Sequence, residues 1–407
     1  MSVKNLIVGQ SGGPTAVING SLYGVITEAF KHPDQIGHVY GMVNGIEGFL
    51  KGTIMDMDKD ITKEEVELIR TTPGAFLGSC RYKLPASLDD EVYAKMFAKF
   101  EEMNIGYFLY IGGNDSMDTV SKLARYADAH NSDIRVIGLP KTVDNDLVQT
   151  DHTPGFASAA KYVATTVREI TTDAEVYDAK SVTIVEIMGR HAGWLTAASV
   201  LARRFEGDNP LLIYLPEVAF VQDDFLKQLE AALEKHHNII VCISEGIHDA
   251  DGTFICEYDS NVGVDNFGHK MLAGSGKYLE NLVKNKLGVK VRSVELNVSQ
   301  CCSANLASLT DQTEAVESGA FGVKAALEGK TMLMVAFNRV SDDPYKIECA
   351  LVNVNEVCNE EKKVPLDWIT KDGTDVSDEF IKYALPLIQG KVDVPTENGL
   401  PKFAYRK

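Results

Sequence analysis

The sequence has no apolar run approaching the roughly 20 residues that span a bilayer, so no membrane partner is expected. Met1-Ser2-Val3-Lys4 runs straight into a strand, and no secretory leader is visible ahead of it. Positive charge is also scarce. Forty Lys and Arg against 58 Asp and Glu leave a net charge of −18, which disfavours nucleic acid as a partner. An anionic ligand would therefore need a locally basic site inside an acidic protein. The seven cysteines, Cys80, Cys242, Cys256, Cys301, Cys302, Cys349 and Cys358, make no CxxC pair, and their number is odd. They read as reduced, mostly buried thiols of a cytoplasmic protein. Low-complexity tracts and evident internal repeats are missing too. What is present is a 407-residue chain, 45% hydrophobic and 24% charged, long enough for two or three domains.

Short apolar runs alternate with helical patterns along most of that length. Asn5–Gly9, Ile105–Ile111, Val136–Leu139, Ser181–Ile187, Leu211–Leu215 and Asn238–Ile243 read as strands. Helices are expected over Ala16–Phe30, Leu88–Met103, Met117–His130, Thr153–Ala174 and Val221–His237. This alternation predicts parallel sheets covered on both faces. Later, Asp265–Lys277 reads as a polar loop, Lys290–Leu296 as a strand, Thr313–Leu327 as a helix, and Lys330–Arg339 with Tyr345–Val354 as a strand pair. The last fifty residues carry no catalytic signal.

The strands end in polar clusters. The first empties into Gln10-Ser11-Gly12-Gly13-Pro14-Thr15, the second into Gly112-Gly113-Asn114-Asp115-Ser116. Glycine turns of this kind at helix starts suit an anion. The third strand stops at Pro140, which favours an extended Leu139, and then delivers Lys141, Thr142, Asp144, Asn145 and Asp146. Another ends in Met188-Gly189-Arg190-His191-Ala192-Gly193-Trp194, and the last in Ser244-Glu245-Gly246. Ligands of open α/β sheets bind at such strand ends. A loop at 72–83 adds Arg81 and Lys83. Glycine turns, cations and carboxylates together suggest phosphoryl transfer, in which positioning and charge neutralisation do most of the work. Oxygen ligands beside phosphate-binding turns suggest Mg²⁺. No Walker A lysine motif or protein-kinase catalytic loop is present.

In order and spacing, the clusters at 11–15, 112–116, 140–146 and 188–194 resemble the 6-phosphofructokinase family. The resemblance covers roughly residues 3–330. It implies two Rossmann-like three-layer α/β/α domains with mostly parallel sheets. One would be a donor domain, 1–145 plus about 300–345. The other would be a sugar-phosphate domain, 146–299 plus 346–407. It also implies phosphorylation of fructose 6-phosphate at its 1-hydroxyl. Asp144 would be the base, flanked by Thr142 and Asp146. Thr142, Met188, Gly189 and Arg190 would bind the sugar phosphate, and Arg190 would also support the transition state. Glu245 would hold sugar hydroxyls, Gln300 would lie on the sugar side, and Arg292 would reach the 6-phosphate, often from a neighbouring subunit. Gly12, Gly13 and Arg81 would lie on the donor phosphates. Asn114 and Asp115 would be the candidates for Mg²⁺. A homodimer or homotetramer is implied.

Two positions resemble the pyrophosphate-dependent branch of that family. Asp115 stands where ATP-using members have a glycine, and its charge and bulk oppose a nucleotide's α-phosphate. Lys141 also replaces a glycine and supplies a cation for the leaving phosphate. The reaction implied is reversible transfer from pyrophosphate. Three departures stand beside the match: Asn114 replaces the usual aspartate, Cys301 replaces an arginine after Gln300, and the arginine before Ser181 is missing, with Lys180 the nearest cation. An ATP-dependent enzyme, a kinase of another sugar phosphate such as sedoheptulose 7-phosphate, and a catalytically silent regulatory subunit are the competing readings.

Overall fold

In a computed structural model that describes residues 3–258, 274–358 and 360–406, the apolar runs are strands. In chain order they are β1 (Lys4–Gln10), β2 (Ile36–Met42), β3 (Ile54–Asp56), β4 (Ile105–Gly112), β5 (Arg135–Pro140), β6 (Ser181–Ile187), β7 (Leu212–Tyr214), β8 (Asn238–Ser244), β9 (Lys290–Glu295), β10 (Leu333–Asp342) and β11 (Tyr345–Asn353). The chain divides into two units. The first comprises Met1–Ser158, Cys301–Glu361 and Leu387–Lys407; the second comprises Ala159–Gln300 and Lys362–Pro386.

The first unit's sheet has the order β11-β10-β5-β4-β1-β2-β3 over the described residues. The strands from β10 to β2 are parallel, while β11 and β3 cap the edges antiparallel. The inner strands are apolar on both faces because helices cover both. Leu6, Val8, Leu109, Ile111 and Ile137 pack with Ile18, Leu22 and Val25 of helix Ile18–Ala29 and Val323 of helix Leu309–Leu327. On the other face, Ile7, Phe108, Tyr110 and Val136 pack with Met96 and Phe100 of helix Glu91–Glu102 and Met117 and Val120 of helix Asn114–Ala129. The chain leaves β1 for β2 on one side and returns to β4 on the other. The crevice at such a reversal lies beyond the strands' C-terminal ends, where Ser11–Gly13 and Gly113–Asp115 sit.

The second unit's sheet is parallel, in the order β7-β8-β6-β9. Val182, Ile184, Leu212, Ile239 and Val241 form its core with Phe225 and Leu229 of helix Gln222–Lys235 and Leu279 and Val283 of helix Ser275–Leu287.

Several expectations shift. Residues 346–361 and 387–407 belong to the first unit, not to a second domain spanning 346–407. The reason is pairing: β11 follows β10 from Leu333↔Asn353 to Asp342↔Tyr345, and Leu309 N–H donates to Gln389 O (3.1 Å). The helix expected from Ala16 starts at Ile18. Helix Asn114–Ala129 begins three residues before the expected Met117, with Gly113 at the cap. The helix expected from Thr153 begins at Phe156. Residues 265–273 of the expected Asp265–Lys277 loop lie outside the described residues. The seven cysteines form no disulfide among the described residues, and Cys302 is exposed. Among the described residues no helix is long and apolar enough to cross a membrane.

Candidate active site

Lys141 is the centre of the first unit's cluster. It follows β5 directly, and its N–H donates to Gly112 O (3.0 Å), which holds its backbone against the turn after β4. Its side chain is 4% exposed. A Cβ on Gly12 would lie 3.2 Å from Lys141 Nζ, and one on Gly113 would lie 4.0 Å from the same atom. The two glycine turns are thus open enough for the ammonium to reach both. Gly12 also needs glycine for its φ of +77°, while a Cβ on Gly13 would meet nothing within 4 Å. Burial pushes the Lys141 pKa down; Asp144 and Asp146 oppose that shift, and the nearby Arg81 adds to it.

The loop after Lys141 folds back on itself. Thr142 Oγ1 accepts the Asp144 N–H (3.1 Å) and donates to Asp144 Oδ2 (3.3 Å). Asn145 adopts φ +55°, and its Oδ1 accepts the Thr153 N–H (3.1 Å). Thr153 Oγ1 donates to Thr142 O (2.8 Å). Burial, and then the neighbouring Asp144, push Asp146 up to about 7. Its Oδ1 is buried and has no hydrogen-bond partner among the described residues. The Asp144 carboxylate thus opposes the ionisation of Asp146, beside a buried amine.

At the other turn, Asp115 is exposed and pairs with Lys83 (3.4 Å). Arg81 is exposed as well. The Asn114 amide donates to Glu360 O (2.6 Å). Among the described residues, no three His, Cys or carboxylate ligand atoms gather here; such a group occurs only at His38, Asp56 and Asp58. That is compatible with Mg²⁺, which keeps waters and needs few protein carboxylates.

The second unit builds its cluster on backbone. Gly189, at φ +141°, follows β6. The Met188 N–H donates to Gln300 Oε1 (3.3 Å), the Gly189 N–H to Glu245 Oε1 (3.4 Å), and Ser244 Oγ to Gly189 O. A Cβ on Gly246 would fall 2.0 Å from Arg190 O, so the two turns approach backbone to backbone. Arg292 is not part of this group. It pairs with Thr183, five residues before Met188, or roughly 16 Å at the usual strand rise. Sequence reasoning missed Glu217, whose Oε1 accepts the N–H of Gly193 (2.8 Å) and of Val364 (3.0 Å). Its only signal was its place beyond a strand end. Asp311 was missed too; it accepts the N–H of Gly155 (3.0 Å) and Ser158 (2.9 Å) and so fixes the start of helix Phe156–Ala174.

The family model described as "Phosphofructokinase" matches residues 5–326. The chain belongs to the phosphofructokinase family. It is 39% identical over 406 residues to a Methylococcus capsulatus protein named pyrophosphate–fructose 6-phosphate 1-phosphotransferase, covering 99% of this chain and 96% of that one. A Xanthomonas campestris protein of the same name is 40% identical, covering 100% and 97%. Among solved structures, a pyrophosphate-dependent phosphofructokinase from Marinobacter aquaeolei superposes with a TM-score of 0.90 at 38% identity, covering 100% of this chain and 96% of that one. Phosphofructokinases of this likeness account for the fold of both units.

Proposed function

We propose that this phosphofructokinase transfers a phosphoryl group from pyrophosphate to the 1-hydroxyl of fructose 6-phosphate, giving fructose 1,6-bisphosphate and phosphate. The observation that carries the donor is the buried Lys141 ammonium set against both glycine turns, with the Asp115 carboxylate at the second. Gly12, Gly13 and Arg81 bind the donor, and Lys141 neutralises the phosphate that leaves. Asp144 takes the hydroxyl proton, with Thr142 fixing its carboxylate and Asp146 keeping the pair basic. Met188, Gly189, Arg190, Glu245 and Gln300 bind the sugar phosphate; Arg292, away from that group, serves a neighbouring subunit of a homodimer or homotetramer. The donors Asp115 and Asn114 suit Mg²⁺, which when bound would offset the donor's negative charge. The donor residues and Thr142 fall in the first unit and the other sugar residues in the second, and the enzyme works in the cytoplasm. Because pyrophosphate and the sugar ester differ little in transfer potential, the reaction runs both ways.

The test is phosphorylation of fructose 6-phosphate with Mg²⁺, comparing pyrophosphate and ATP. Activity with pyrophosphate alone is expected. Activity with ATP alone would overturn the donor roles of Asp115 and Lys141. Activity with pyrophosphate on sedoheptulose 7-phosphate but not on fructose 6-phosphate would keep those roles and reassign the sugar, the outcome to which Cys301 points.

A further inference from the structure

The first unit buries a second set of charges that the transfer does not consume. The His152 side chain is fully buried. Its Nδ1 lies 2.8 Å from Asp151 Oδ1 and its Nε2 lies 2.7 Å from Glu314 Oε2. A neutral imidazole has one N–H and would turn a lone pair toward one of these carboxylates; only the imidazolium donates to both. Burial alone would drain the ring of its proton, but the carboxylates override it and push the pKa up to about 9.

The surrounding groups come from several elements. Asp151 also accepts Nε and Nη2 of Arg339 on β10 (3.2 and 2.9 Å). Glu314, on helix Leu309–Leu327, accepts the Tyr345 hydroxyl from β11 (2.7 Å). Asp311 lies one turn earlier on that helix, and the Phe337 ring of β10 stands 5.0 Å from the imidazole. The same segment has a second anchor, Thr150 and Asp151 bonding to the Phe337 backbone (both 2.9 Å).

The next two residues of the chain, Thr153 and Pro154, connect this network to the candidate site. Thr153 bonds to Asn145 Oδ1 and Thr142 O, and the Thr142 N–H donates to Pro154 O (3.3 Å). Three hydrogen bonds therefore join them to the loop that carries Asp144.

We infer that His152 is a positioning residue whose imidazolium fastens the segment 150–155 to helix Leu309–Leu327 and thereby sets where Thr142 and Asp144 stand. It touches no reacting atom. The inference rests on the role given to Asp144 under the proposed function. The sign comes from the cation: the tie is complete at neutral pH and is lost only as pH rises through about 9.

Glu314→Gln keeps the side chain's shape and removes one of the two charges. In that variant the His152 ring should lose its proton at lower pH than in the wild type, read by NMR of ¹⁵N-labelled histidine. The kcat should then acquire an alkaline limb that tracks the ring, with KM for pyrophosphate unchanged. His152→Gln should lower kcat about tenfold to a hundredfold at every pH, with no such limb. A neutral His152 in the wild type at pH 7.5 would overturn the inference. So would a Glu314→Gln enzyme whose ring pKa falls while its kcat profile superimposes on the wild type. If His152→Gln does not fold, the two Glu314→Gln readings decide. A wild type inactive with pyrophosphate and ATP alike would sink the phosphotransferase reading and this inference with it; an active wild type with a pH-insensitive variant sinks the inference alone.

Discussion

At the ends of β4 and β5 a buried ammonium faces a pair of carboxylates, whereas beyond β7 and β8 the carboxylates of Glu217 and Glu245 face backbone N–H groups. The first arrangement sets its groups' proton affinities against one another. Burial works against the charge on Lys141 and on Asp146, and each group's state depends on its neighbours. The second sets geometry. Two glycine-bearing turns press together, and acceptors tie them down. The difference fits the division of labour in the proposed reaction, because charge moves on the donor side while the sugar only has to be held. It also separates the expected outcomes of substitution. Removing a charge from the first cluster should damage turnover, and removing one from the second should damage binding or do little.

The largest effect is expected at Asp144. Asp144→Asn keeps an acceptor for the Thr142 hydroxyl but cannot take a proton, so kcat should fall by about 10²–10⁴-fold. Fructose 6-phosphate should still raise the melting temperature, since the sugar residues are untouched. A variant that keeps more than about a tenth of wild-type kcat would mean that Asp144 is not the base. Lys141→Met comes next. It keeps the apolar stem under the glycine turns and deletes the ammonium, and kcat with pyrophosphate should fall by about 10²–10³-fold. If turnover with pyrophosphate survives that change, the neutralising charge comes from elsewhere and the contrast between the clusters weakens.

Much of this was legible in the sequence because parallel sheets write themselves as continuous apolar runs, and strand ends are where their ligands go. Thus Lys141, Thr142 and Asp144, adjacent in the chain, were visible as one cluster. Arg292 shows where that logic stops: it lies on a strand, yet the register places it well short of the strand end. Residues that act across long sequence separations were harder to see. Glu314 meets His152 from 162 positions away, and Val364 meets Glu217 from 147. Neither pair has a spacing signal: His152 meets Glu314 where β10, β11 and helix Leu309–Leu327 close on its loop, and Glu217 meets Val364 where a distant segment of the chain returns to the second unit. The division at 346 was misjudged for the same reason. Hairpin pairing keeps β11 in the first sheet, and nothing in the chain's composition marks where the path crosses to the second unit.

The smallest effect should come from Glu217→Gln, and it sharpens the comparison most. Glu217 is half-buried, and the burial of its carboxylate raises its proton affinity while its two N–H bonds hold that rise back. Its Oε1 does the bonding, and its Oε2 is buried with no partner among the described residues. Glutamine can present the same oxygen to Gly193 and Val364 while exchanging one unpaired polar atom for another. Stability should therefore change by less than about 1 kcal/mol, and KM for fructose 6-phosphate by less than about threefold. Glu217→Ala leaves both N–H groups without their acceptor, and should cost about 1–3 kcal/mol and raise that KM, with kcat less affected. Denaturant melts and steady-state kinetics on the two variants separate the cases. Should glutamine prove as damaging as alanine, the charge on Glu217 would matter in its own right, and the second cluster would have to be read as the first is, as a set of opposed ionisations.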